Sequence, residues 1–397
     1  MTSLNILMVH SSIYKKGGWG RIFPLAKGLV KNGHSVTILT SSPDFSFFTK
    51  RKAIDGIRII IFPEVIPARF TRFGFGLLSL VSKIIHVLFN KYDVVHSDNG
   101  HRPLAGIPCR LHKKRFNSVY VAEWYDWWGR GGHYDKKSRV FKFIFGWYEN
   151  KYEIKDKMIA DGVVVLSDVL KSRAEQFKRI EQIRKIHGGA DISAISFLQN
   201  NDALKSKLGI DKEVLTLGYI SAMGYNLPEL LPVINTLIEY KLFSKIKILV
   251  FGDYSALINE LPKQVQDTCI FFGWVDYKND LEKLQCVDVF FLFKDDTLIN
   301  RAGWPNCLGD YLAFGRPVMI NPVGEAVDFV NRFPVAFFKT SANPKDINTA
   351  IENIFENTNE IELNRPKIRR IAEEEISWEN KSIDLLDFYK YLITAKA

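Results

Sequence analysis

The strongest constraint on the fold is an alternation of strand-like and helix-like segments, which begins again halfway along the chain. An apolar run at Asn5–His10 is followed by a glycine-containing turn, by apolar residues at helical spacing over Ile22–Asn32, and by a second strand at Ser35–Thr40. Because strands that alternate with helices are joined by crossover connections, this pattern predicts an α/β fold with parallel sheets.

The alternation restarts at Val214, which predicts a second α/β domain with the join near residues 192–212. A chain of 397 residues is too long for one ordinary hydrophobic core, so its length supports the same division. Further strands are predicted at Ile57–Phe62, Asp93–His96, Ser118–Ala122, Gly162–Leu166, Leu215–Ile220, Ile246–Phe251, Thr268–Phe272, Asp288–Leu292 and Pro317–Asn321, and helices at Leu227–Tyr240, Asn279–Leu284 and Pro305–Phe314.

Charge is distributed unevenly along the chain. The formal net charge is +10, but residues 1–190 contain 32 Lys and Arg against 15 Asp and Glu, whereas the remainder contains 22 against 29. A basic half can attract nucleic acid, an anionic membrane or phosphorylated substrates, or can be solvated surface charge with no partner. No nucleic-acid-binding module is recognisable, so no nucleic acid is expected as a partner.

The cysteines and the start of the chain bear on the compartment. The four cysteines lie far apart and form no Cys-x-x-Cys pair, which argues against a disulfide framework or a metal site and fits a reducing cytosol. The apolar run near Ile6 is a short strand rather than a secretory signal. A cytoplasmic location is therefore expected.

One apolar stretch, Ile66–Asn90, has two open interpretations. Lys83 and His86 interrupt it, and Arg69 and Arg72 precede it, so a transmembrane helix is disfavoured. The favoured interpretation is a buried helix of the first domain. The alternative is a basic and aromatic face that rests on a membrane surface, which would make the protein peripheral at the inner face of a membrane.

A glycine-rich turn, Gly17-Gly18-Trp19-Gly20, separates the first strand from the first helix. Such a turn lets backbone N–H groups approach a phosphate or a sugar hydroxyl, although a plain turn explains it equally well. The spacing does not match the dinucleotide fingerprint, and no acidic residue ends the second strand. A nicotinamide cofactor is therefore not expected.

The segment Asn300–Val330 carries the most chemistry in the second half. Its predicted helix places Asn306 and Asp310 four residues apart on one face, where a carboxylate can accept both hydroxyls of a ribose. Gly324 follows the next strand and permits close approach of a ligand. Open α/β sheets bind their ligands beyond the carboxyl ends of the strands, which is where these residues are expected.

Taken together, these segments resemble the retaining, family-4-like glycosyltransferases of the GT-B fold. The similar motifs occur in order along nearly the whole chain, and as a set they are specific for the fold. They are LNILMVHSS followed by GGWG and GHSVT, Tyr92-Asp-Val-Val-His96, Asp161-Gly-Val-Val-Val-Leu-Ser167, Ile186-His-Gly-Gly-Ala-Asp191, Gly309-Asp-Tyr-Leu-Ala-Phe-Gly-Arg-Pro-Val318 and Ile376-Ser-Trp-Glu379.

The resemblance implies two Rossmann-like parallel-sheet domains facing across a cleft. The acceptor-side domain would span residues 1–195 and be completed by a C-terminal helix at about residues 378–397, and the nucleotide-sugar-binding domain would span residues 205–375. No metal or cofactor is expected besides the nucleotide sugar. Gly17 and Gly18 would lie in a loop that contacts the acceptor or a phosphate.

In the second domain the resemblance implies that Asp310 holds the ribose and that Gly324 and Glu325 line the donor site. Two departures are visible. Ala302 occupies the place of the first glutamate of the family's Glu-x7-Glu motif, and the segment Ser221–Asn226 lacks the usual Arg and Lys that bind the diphosphate. Replacement cations for the diphosphate are predicted among three residues, of which a guanidinium suits paired phosphate oxygens best: Arg301, Arg316 and Lys294.

A third departure concerns the active-site histidine of many relatives, whose place is taken by the segment Glu123–His133. This segment contains two carboxylates, three tryptophans and a glycine-rich turn within eleven residues. Aromatic rings stack on sugars, and a carboxylate can orient or deprotonate an attacking hydroxyl. Asp126 is the first candidate for a catalytic carboxylate and Glu123 the second. The alternative is a Trp-rich loop packed on the domain surface. A structural role is favoured for His96.

The expected function is transfer of a sugar from a nucleoside diphosphate sugar to an acceptor hydroxyl, with retention, in cell-envelope or polysaccharide synthesis. The acceptor would be a glycan or lipid-linked. Two alternatives remain open from sequence: a sugar-nucleotide epimerase of the same fold, and a non-catalytic sugar-binding or partner-binding protein.

Overall fold

The computed structural model describes residues 3–197, 200–220, 227–252, 261–275 and 280–396, without the side chain of residue 227. The chain forms two compact units, each built on its own sheet. Unit 1 comprises Met1–Gly188, Thr297–Trp304 and Trp378–Ala397, and unit 2 comprises Gly189–Asp296 and Pro305–Ser377. The α/β class predicted from the alternation is confirmed.

Unit 1 contains an eight-stranded sheet with the order β3-β4-β2-β1-β5-β6-β7-β8, in which only the edge strand β3 is antiparallel to its neighbour. Parallel strands buried on both faces read as continuous apolar runs, and the strands at the centre of this sheet are of that kind. The strands are β1 (Asn5–Ile13), β2 (Ser35–Ser41), β3 (Lys50–Ile54), β4 (Ile57–Phe62), β5 (Val94–Ser97), β6 (Val119–Trp124), β7 (Gly162–Val165) and β8 (Ile183–Lys185).

Unit 2 contains a six-stranded sheet with the order β11-β10-β9-β12-β13-β14, in which all pairs are parallel. The centre of the order is β9, which is the first strand of the unit and pairs with both β10 and β12. The strands are β9 (Leu215–Ile220), β10 (Ile246–Phe251), β11 (Cys269–Gly273), β12 (Val289–Leu292), β13 (Val318–Ile320) and β14 (Phe337–Lys339).

Helices connect the strands in both units. The helices of the first half are α1 (Trp19–Lys31), α2 (Ala68–Thr71), α3 (Leu78–Phe89), α4 (Pro103–Phe116), α5 (Arg139–Ile159) and α6 (Asp168–Glu175). Those of the second half are α7 (Asp202–Lys207), α8 (Leu227–Tyr240), α9 (Lys263–Thr268), α10 (Leu281–Leu284), α11 (Leu298–Ala302), α12 (Asn306–Ala313), α13 (Ala326–Arg332), α14 (Pro344–Glu356), α15 (Thr358–Ile371) and α16 (Trp378–Lys396).

Helix α16 completes the hydrophobic core of unit 1. Its buried side chains, among them Leu385, Phe388 and Tyr389, join those of β1, β2, β4 and α1 in one cluster. The helix packs against α1 at a point where Gly28 leaves room for it, since a Cβ placed on Gly28 would lie 2.4 Å from the Cβ of Ser382. Tyr389 also reaches the strand ends, where its hydroxyl lies 2.5 Å from Nδ1 of His96.

The stretch at residues 66–90 forms two helices rather than one. Between α2 and α3 the chain turns at Gly74, whose φ of +87° lies in the left-handed region. Ser79, Lys83 and Val87 of α3 are buried, whereas the opposite side of α3 is exposed and apolar. The expected buried helix is therefore buried on one side only. Within the part of the chain that the structure describes, no helix combines the length and the apolar composition needed to cross a membrane.

Candidate functional site

The turn between β1 and α1 lies against the ends of β5 and β6. Gly17 has a φ of +60°, which favours glycine. A Cβ on Gly18 would lie 2.9 Å from Oδ2 of Asp98 and 3.1 Å from the hydroxyl of Tyr125. Because any side chain at residue 18 would crowd both groups, the glycine brings backbone, carboxylate and phenol together at the carboxyl edge of the sheet.

Asp98 is buried in a polar cluster beneath this turn. The backbone N–H of Ser11 donates to its Oδ1 at 2.8 Å, and Nε2 of His10 lies 3.7 Å from its Oδ2. Nζ of Lys83 donates to the carbonyl oxygens of His10 and Leu104 at 2.7 and 3.3 Å.

Burial dominates the ionisation of this cluster. It raises the pKa of Asp98 to about 7, although the hydrogen bonds from Ser11 oppose the change. It lowers the pKa of Lys83 to about 7, against the attraction of Asp98. It also lowers the pKa of His10 to about 3, and Lys83 adds to that effect. Burial therefore favours the neutral form of Asp98 over its charged form.

Asp126 lies in the loop that follows β6, next to a histidine of the same loop. Its Oδ1 is 3.2 Å from Nε2 of His133, and both side chains are partly exposed. The ring of Trp128 packs in a tilted arrangement against the ring of His133, with 4.9 Å between centroids, and against that of His101, with 5.4 Å. Asp126 thus stands at the rim of an aromatic cluster, from which it can reach solvent or a ligand.

Several buried polar atoms in this cluster have no hydrogen-bond partner among the described residues. They are Oδ1 of Asn99, Nδ1 of His101 and Nε1 of Trp128. Buried polar groups are normally paired, so unpaired atoms that occur together indicate a place for hydroxyl groups or water. Asn99 also donates to the Tyr125 hydroxyl, which joins this set to the Gly18 turn. We define the unit 1 polar cluster as the following residues: Asp98, Asn99, His101, Tyr125, Asp126, Trp128 and His133.

Glu123, the second candidate catalytic carboxylate, lies inside unit 1. Nε of Arg21 donates to its Oε1 at 3.0 Å, and Arg21 also donates to the carbonyls of Ile186 and His187. Burial alone would raise the pKa of Glu123, but Arg21 and His96 hold it below its ordinary value. Its 1% exposure and this ion pair argue against the predicted contact with a sugar. His96, bonded to Tyr389, is likewise enclosed, as expected of a structural histidine.

The loop from Trp124 to His133 is partly structural. Trp124 is fully buried, and the Arg173 guanidinium lies 3.9 Å from the ring centroid of Trp127. A Cβ on Gly129 would lie 2.0 Å from Oε2 of Glu153, so protein atoms rather than a ligand occupy the space beside that glycine. The loop is therefore a packed scaffold that presents Asp126, Trp128 and His133.

In unit 2 the helix predicted near residue 310 is present as α12. Asn306 is exposed and Asp310 half-buried, and their spacing of four residues places them on one side of the helix. The ring of Tyr311 stacks on Phe290 at 4.0 Å between centroids, and its hydroxyl accepts the backbone N–H of Ile220 at 2.9 Å. Tyr311 thereby fixes the helix against the ends of β9 and β12.

Lys294 lies at the carboxyl end of β12 and brings a cation to this edge of unit 2. Its backbone N–H donates to Oδ1 of Asn321 at 2.8 Å, and its ammonium forms an ion pair with Glu229, which also accepts the Tyr219 hydroxyl at 2.5 Å. Burial raises the pKa of Cys307 on α12 to about 11, while Lys294 opposes the change. The Lys294 side chain is 25% exposed, so this ion pair is open to solvent on one side.

The predicted arginines lie in different places. Arg316 is fully buried, where it donates to Oε1 of Glu362 at 3.1 Å, to the carbonyl of Gln285 at 3.1 Å and to Asn200. Burial, together with Arg365, lowers its pKa to about 10. This placement argues against the predicted contact of Arg316 with a diphosphate. Arg301 is exposed on α11, which groups with unit 1 rather than with α12.

Gly324 and Glu325 follow β13 and precede α13. Gly324 has a φ of +60° and both residues are partly exposed, so the turn is open to solvent at the carboxyl edge of the sheet. The segment Ser221–Asn226, where the sequence lacks the usual cations, lies outside the described residues.

Four members of the unit 1 polar cluster were not predicted as site residues from sequence. They follow β5 and β6, so the position after a strand was the available signal, and they are Asp98, Asn99, His101 and Tyr125. The sequence does not show which of their polar atoms lack a hydrogen-bond partner in the folded protein.

Two parallel-sheet α/β units with polar residues at the carboxyl edges of their strands are typical of the GT-B class of fold. Residues 17–194 match the model of the family described as Glycosyltransferase Family 4. No curated protein sequence matches the chain.

Solved structures match over nearly the whole length. Sucrose-phosphate synthase from Thermosynechococcus elongatus covers 98% of this chain and 100% of its own, with a TM-score of 0.74 and 13% identity. Anabaena HepE in complex with UDP covers 97% and 99%, with a TM-score of 0.69 and 14% identity. WaaG, a glycosyltransferase involved in lipopolysaccharide biosynthesis, covers 96% and 99%, with 0.65 and 14%. These likenesses confirm the predicted GT-B fold. The match of residues 17–194 to the family model confirms the resemblance to family-4-like glycosyltransferases.

Proposed function

We propose that this protein is a glycosyltransferase that moves a sugar from a nucleoside diphosphate sugar to an acceptor hydroxyl. The observation that carries the proposal is the unit 1 polar cluster, in which unpaired polar atoms and an accessible carboxylate meet aromatic rings at the carboxyl edge of β5 and β6. Sugars offer many hydroxyls and apolar ring faces, which suits this combination of groups.

On the acceptor side, Asp126 is the proposed catalytic carboxylate. Its partner His133 can hold it in place while the second oxygen accepts the hydroxyl of the acceptor. The backbone of Gly17 and Gly18 is proposed to position further hydroxyl groups or a phosphate. Asp98, buried beneath this turn, is proposed to hold the turn in place.

On the donor side, Asp310 is the proposed ligand of the ribose, with Asn306 beside it. Lys294 is the proposed cation for the diphosphate, because the segment Ser221–Asn226 lacks the arginine and lysine that usually bind it. Arg301 remains a second candidate. Gly324 and Glu325 are proposed to line the donor site. A cation that meets the departing diphosphate lowers the barrier by stabilising the developing charge.

The type of sugar, the stereochemistry and the acceptor are proposed from the likeness to solved glycosyltransferases. HepE has been solved with UDP and with UDP-glucose, and WaaG acts in lipopolysaccharide biosynthesis. By that likeness we propose a hexosyl transfer with retention, no metal requirement, a glycan or lipid-linked acceptor, and a role in envelope or polysaccharide synthesis on the cytoplasmic side of a membrane.

The proposal is tested by ligand binding followed by turnover. A thermal-shift screen with UDP-, GDP-, ADP- and CMP-sugars identifies the base, because a ligand that binds only the folded state raises the melting temperature. The stabilising nucleotide sugar is then incubated with membrane and glycan extracts, and release of the nucleoside diphosphate is measured. Release that depends on an acceptor is the expected result.

Two other results would contradict the proposal. Conversion of the nucleotide sugar to its epimer without an acceptor would indicate an epimerase. Binding of sugars or nucleotide sugars without any turnover, with every extract, would indicate a non-catalytic binding protein.

A further inference from the structure

Unit 1 carries an exposed apolar surface formed by three segments. Leu77, Val81, Ile85 and Phe89 recur every four residues and line one side of α3, and Phe89 is 83% exposed. The other two segments are exposed to a similar degree. They are Phe45, Phe47 and Phe48 before β3, and Val140, Phe143, Ile144 and Trp147 of α5. We call these eleven side chains the apolar face.

Buried contacts tie the three segments together. Glu64, which is 1% exposed, forms a bridge with Ser46 through the backbone and accepts the hydroxyl of Ser79 on α3 at 2.7 Å. The ring of Phe75, just before α3, lies 4.0 Å from that of Phe145 on α5. The residues before β3, the start of α3 and the start of α5 are therefore held as one structural region.

The charge within the segments that carry the apolar face has one sign, and the exposed acids Asp44, Asp93 and Asp135 lie just outside them. Residues 45–54, 65–92 and 136–148 contain no Asp or Glu. They contain eight exposed cations, which are Lys50, Arg51, Lys52, Arg69, Arg72, Lys91, Lys136 and Arg139. Apolar side chains bordered by cations match the interface of a bilayer with anionic headgroups. A second copy of the same face would bring like charges together, so self-association is disfavoured.

We propose that the apolar face docks unit 1 onto an anionic phospholipid bilayer. Isolated exposed apolar side chains are ordinary, but eleven of them in connected segments without an acidic residue are a binding surface. The long stems of the bordering Lys and Arg can lie along the apolar surface while their charges reach the phosphates. The docking does not depend on the activity proposed above.

The apolar face adjoins the unit 1 polar cluster. Between α2 and α3, the carbonyl of Arg72 accepts the hydroxyl of Ser12 at 3.1 Å, and the carbonyl of Phe73 accepts a hydrogen bond from Arg102. Gly74 accepts the backbone N–H of Leu104 at 3.2 Å. The same turn thus contacts the strand-end loops that carry Asp98 and His101, so an acceptor held in the bilayer would meet the cluster at this edge.

Sedimentation with vesicles tests the docking. Full-length protein is mixed with vesicles of equal parts phosphatidylglycerol and phosphatidylcholine, or of phosphatidylcholine alone, at low and high salt. We expect binding to the anionic vesicles that salt weakens, and at least about tenfold weaker binding to neutral ones, since each basic residue near the surface contributes about 1 kcal/mol.

Two variants and a matched control assign the surface. V81S/I85S/F89S removes apolar side chains and R69E/R72E reverses charge, and each should lower the partition coefficient at least about tenfold. L363S, in unit 2, removes an equally exposed leucine and should bind like the parent. Melting temperatures check that each variant folds. If only one of the two variants folds, its partition coefficient still tests the docking.

Three outcomes would overturn the proposal. One is binding by both folded variants at the level of L363S. Another is no binding of the parent to anionic vesicles at low salt. The third is light scattering that shows a dimer which V81S/I85S/F89S dissociates, because the face would then be a contact between copies of this chain.

Discussion

At the scale of single residues, Asp126 gives the sharpest prediction for turnover. Asp126→Asn keeps the size of the side chain and removes the charge, so kcat should fall about a hundredfold or more, as on loss of an acid–base group. Donor affinity should hardly change, because Asp126 lies in unit 1 and the proposed ribose ligand lies in unit 2. Steady-state kinetics with the acceptor found in the extract screen, together with nucleotide titration, measure both quantities.

Asp135 provides the matched control for Asp126. It lies in the same loop, where its Oδ2 accepts the N–H of Gly131 at 2.7 Å, a contact that asparagine can keep. Asp135→Asn should therefore transfer sugar at nearly the parental rate. Parental turnover by Asp126→Asn would remove it as the catalytic carboxylate, and unfolding of that variant would indicate a structural role.

Asp310→Ala should weaken nucleotide binding while leaving the protein folded. Loss of a hydrogen bond to a charged acceptor costs about 1.5–3 kcal/mol, or about ten- to a hundredfold in affinity. Isothermal titration with the nucleoside diphosphate measures the change. Asp328→Ala, an exposed acid on α13, serves as the control and should bind normally. Equal affinities for the two variants would exclude Asp310 from the donor site.

Residue types and their spacing predicted that Asp126 follows a strand and that Asp310 lies on a helix, but not that Glu123 and Arg316 are buried. Both charged side chains were expected to face a ligand, yet each is buried in an ion pair. Their partners Arg21 and Glu362 are 102 and 46 residues away in sequence. A pattern of neighbouring residues carries no information about such distant contacts.

At the scale of elements, the contact between α1 and α16 depends on the absence of one side chain. Gly28→Ala would place a Cβ 2.4 Å from that of Ser382, so the helices must separate and unfolding should become easier by about 1–3 kcal/mol. Gly20→Ala in the same helix is the control, since no atom lies within 4 Å of the added methyl. Urea denaturation of the two variants measures the difference.

Ser382→Gly tests the cause of that loss. In the Gly28→Ala background it removes the side chain that the new methyl meets, so the double variant should be more stable than the sum of the two single changes predicts. Strict additivity would show that contact with the Ser382 side chain does not cause the loss of stability.

Strands buried at the centre of each sheet were predicted from their apolar runs. Of the four edge strands, only β11 was predicted, and β3, β8 and β14 were missed. Predicted and observed bounds agree at Ile57–Phe62, Leu215–Ile220 and Ile246–Phe251. The missed strand β3 is largely charged and exposed, and β8 and β14 have three residues each. An edge strand needs one neighbour and little burial, so its sequence need not be apolar. The sidedness of α3 also depends on which neighbours pack against it.

At the scale of the whole molecule, the histidines make stability depend on pH. Six of the eight have a lowered pKa, mainly because burial disfavours their charged form: His10, His34, His86, His101, His112 and His187. Below the ordinary pKa of 6.5 the unfolded chain binds protons that the folded chain refuses, so the free energy of unfolding should fall as pH drops from 7 to 5. Asp98, with its raised pKa, acts in the opposite direction over this range.

His187→Phe isolates one of these contributions. The pKa of His187 is lowered to about 3 by burial and by Lys381, and its ring stacks on Trp304 at 4.2 Å, a contact that Phe can keep. Between pH 7 and 5 the variant should lose about 1–2 kcal/mol less stability than the parent in urea denaturation. An unchanged difference between the two pH values would show that His187 titrates normally in the folded protein.

The position of α16 in the chain also sets the order in which the protein can mature on the ribosome. This helix contributes Leu385, Phe388 and Tyr389 to the core of unit 1, yet it is translated after all of unit 2. Domains usually fold in the order of their synthesis. Here we expect the reverse, with the amino-terminal sheet waiting for its closing helix. Nascent chains stalled before residue 378 should therefore protect unit 2 from protease and leave unit 1 open to cleavage, and equal protection of both would contradict this order.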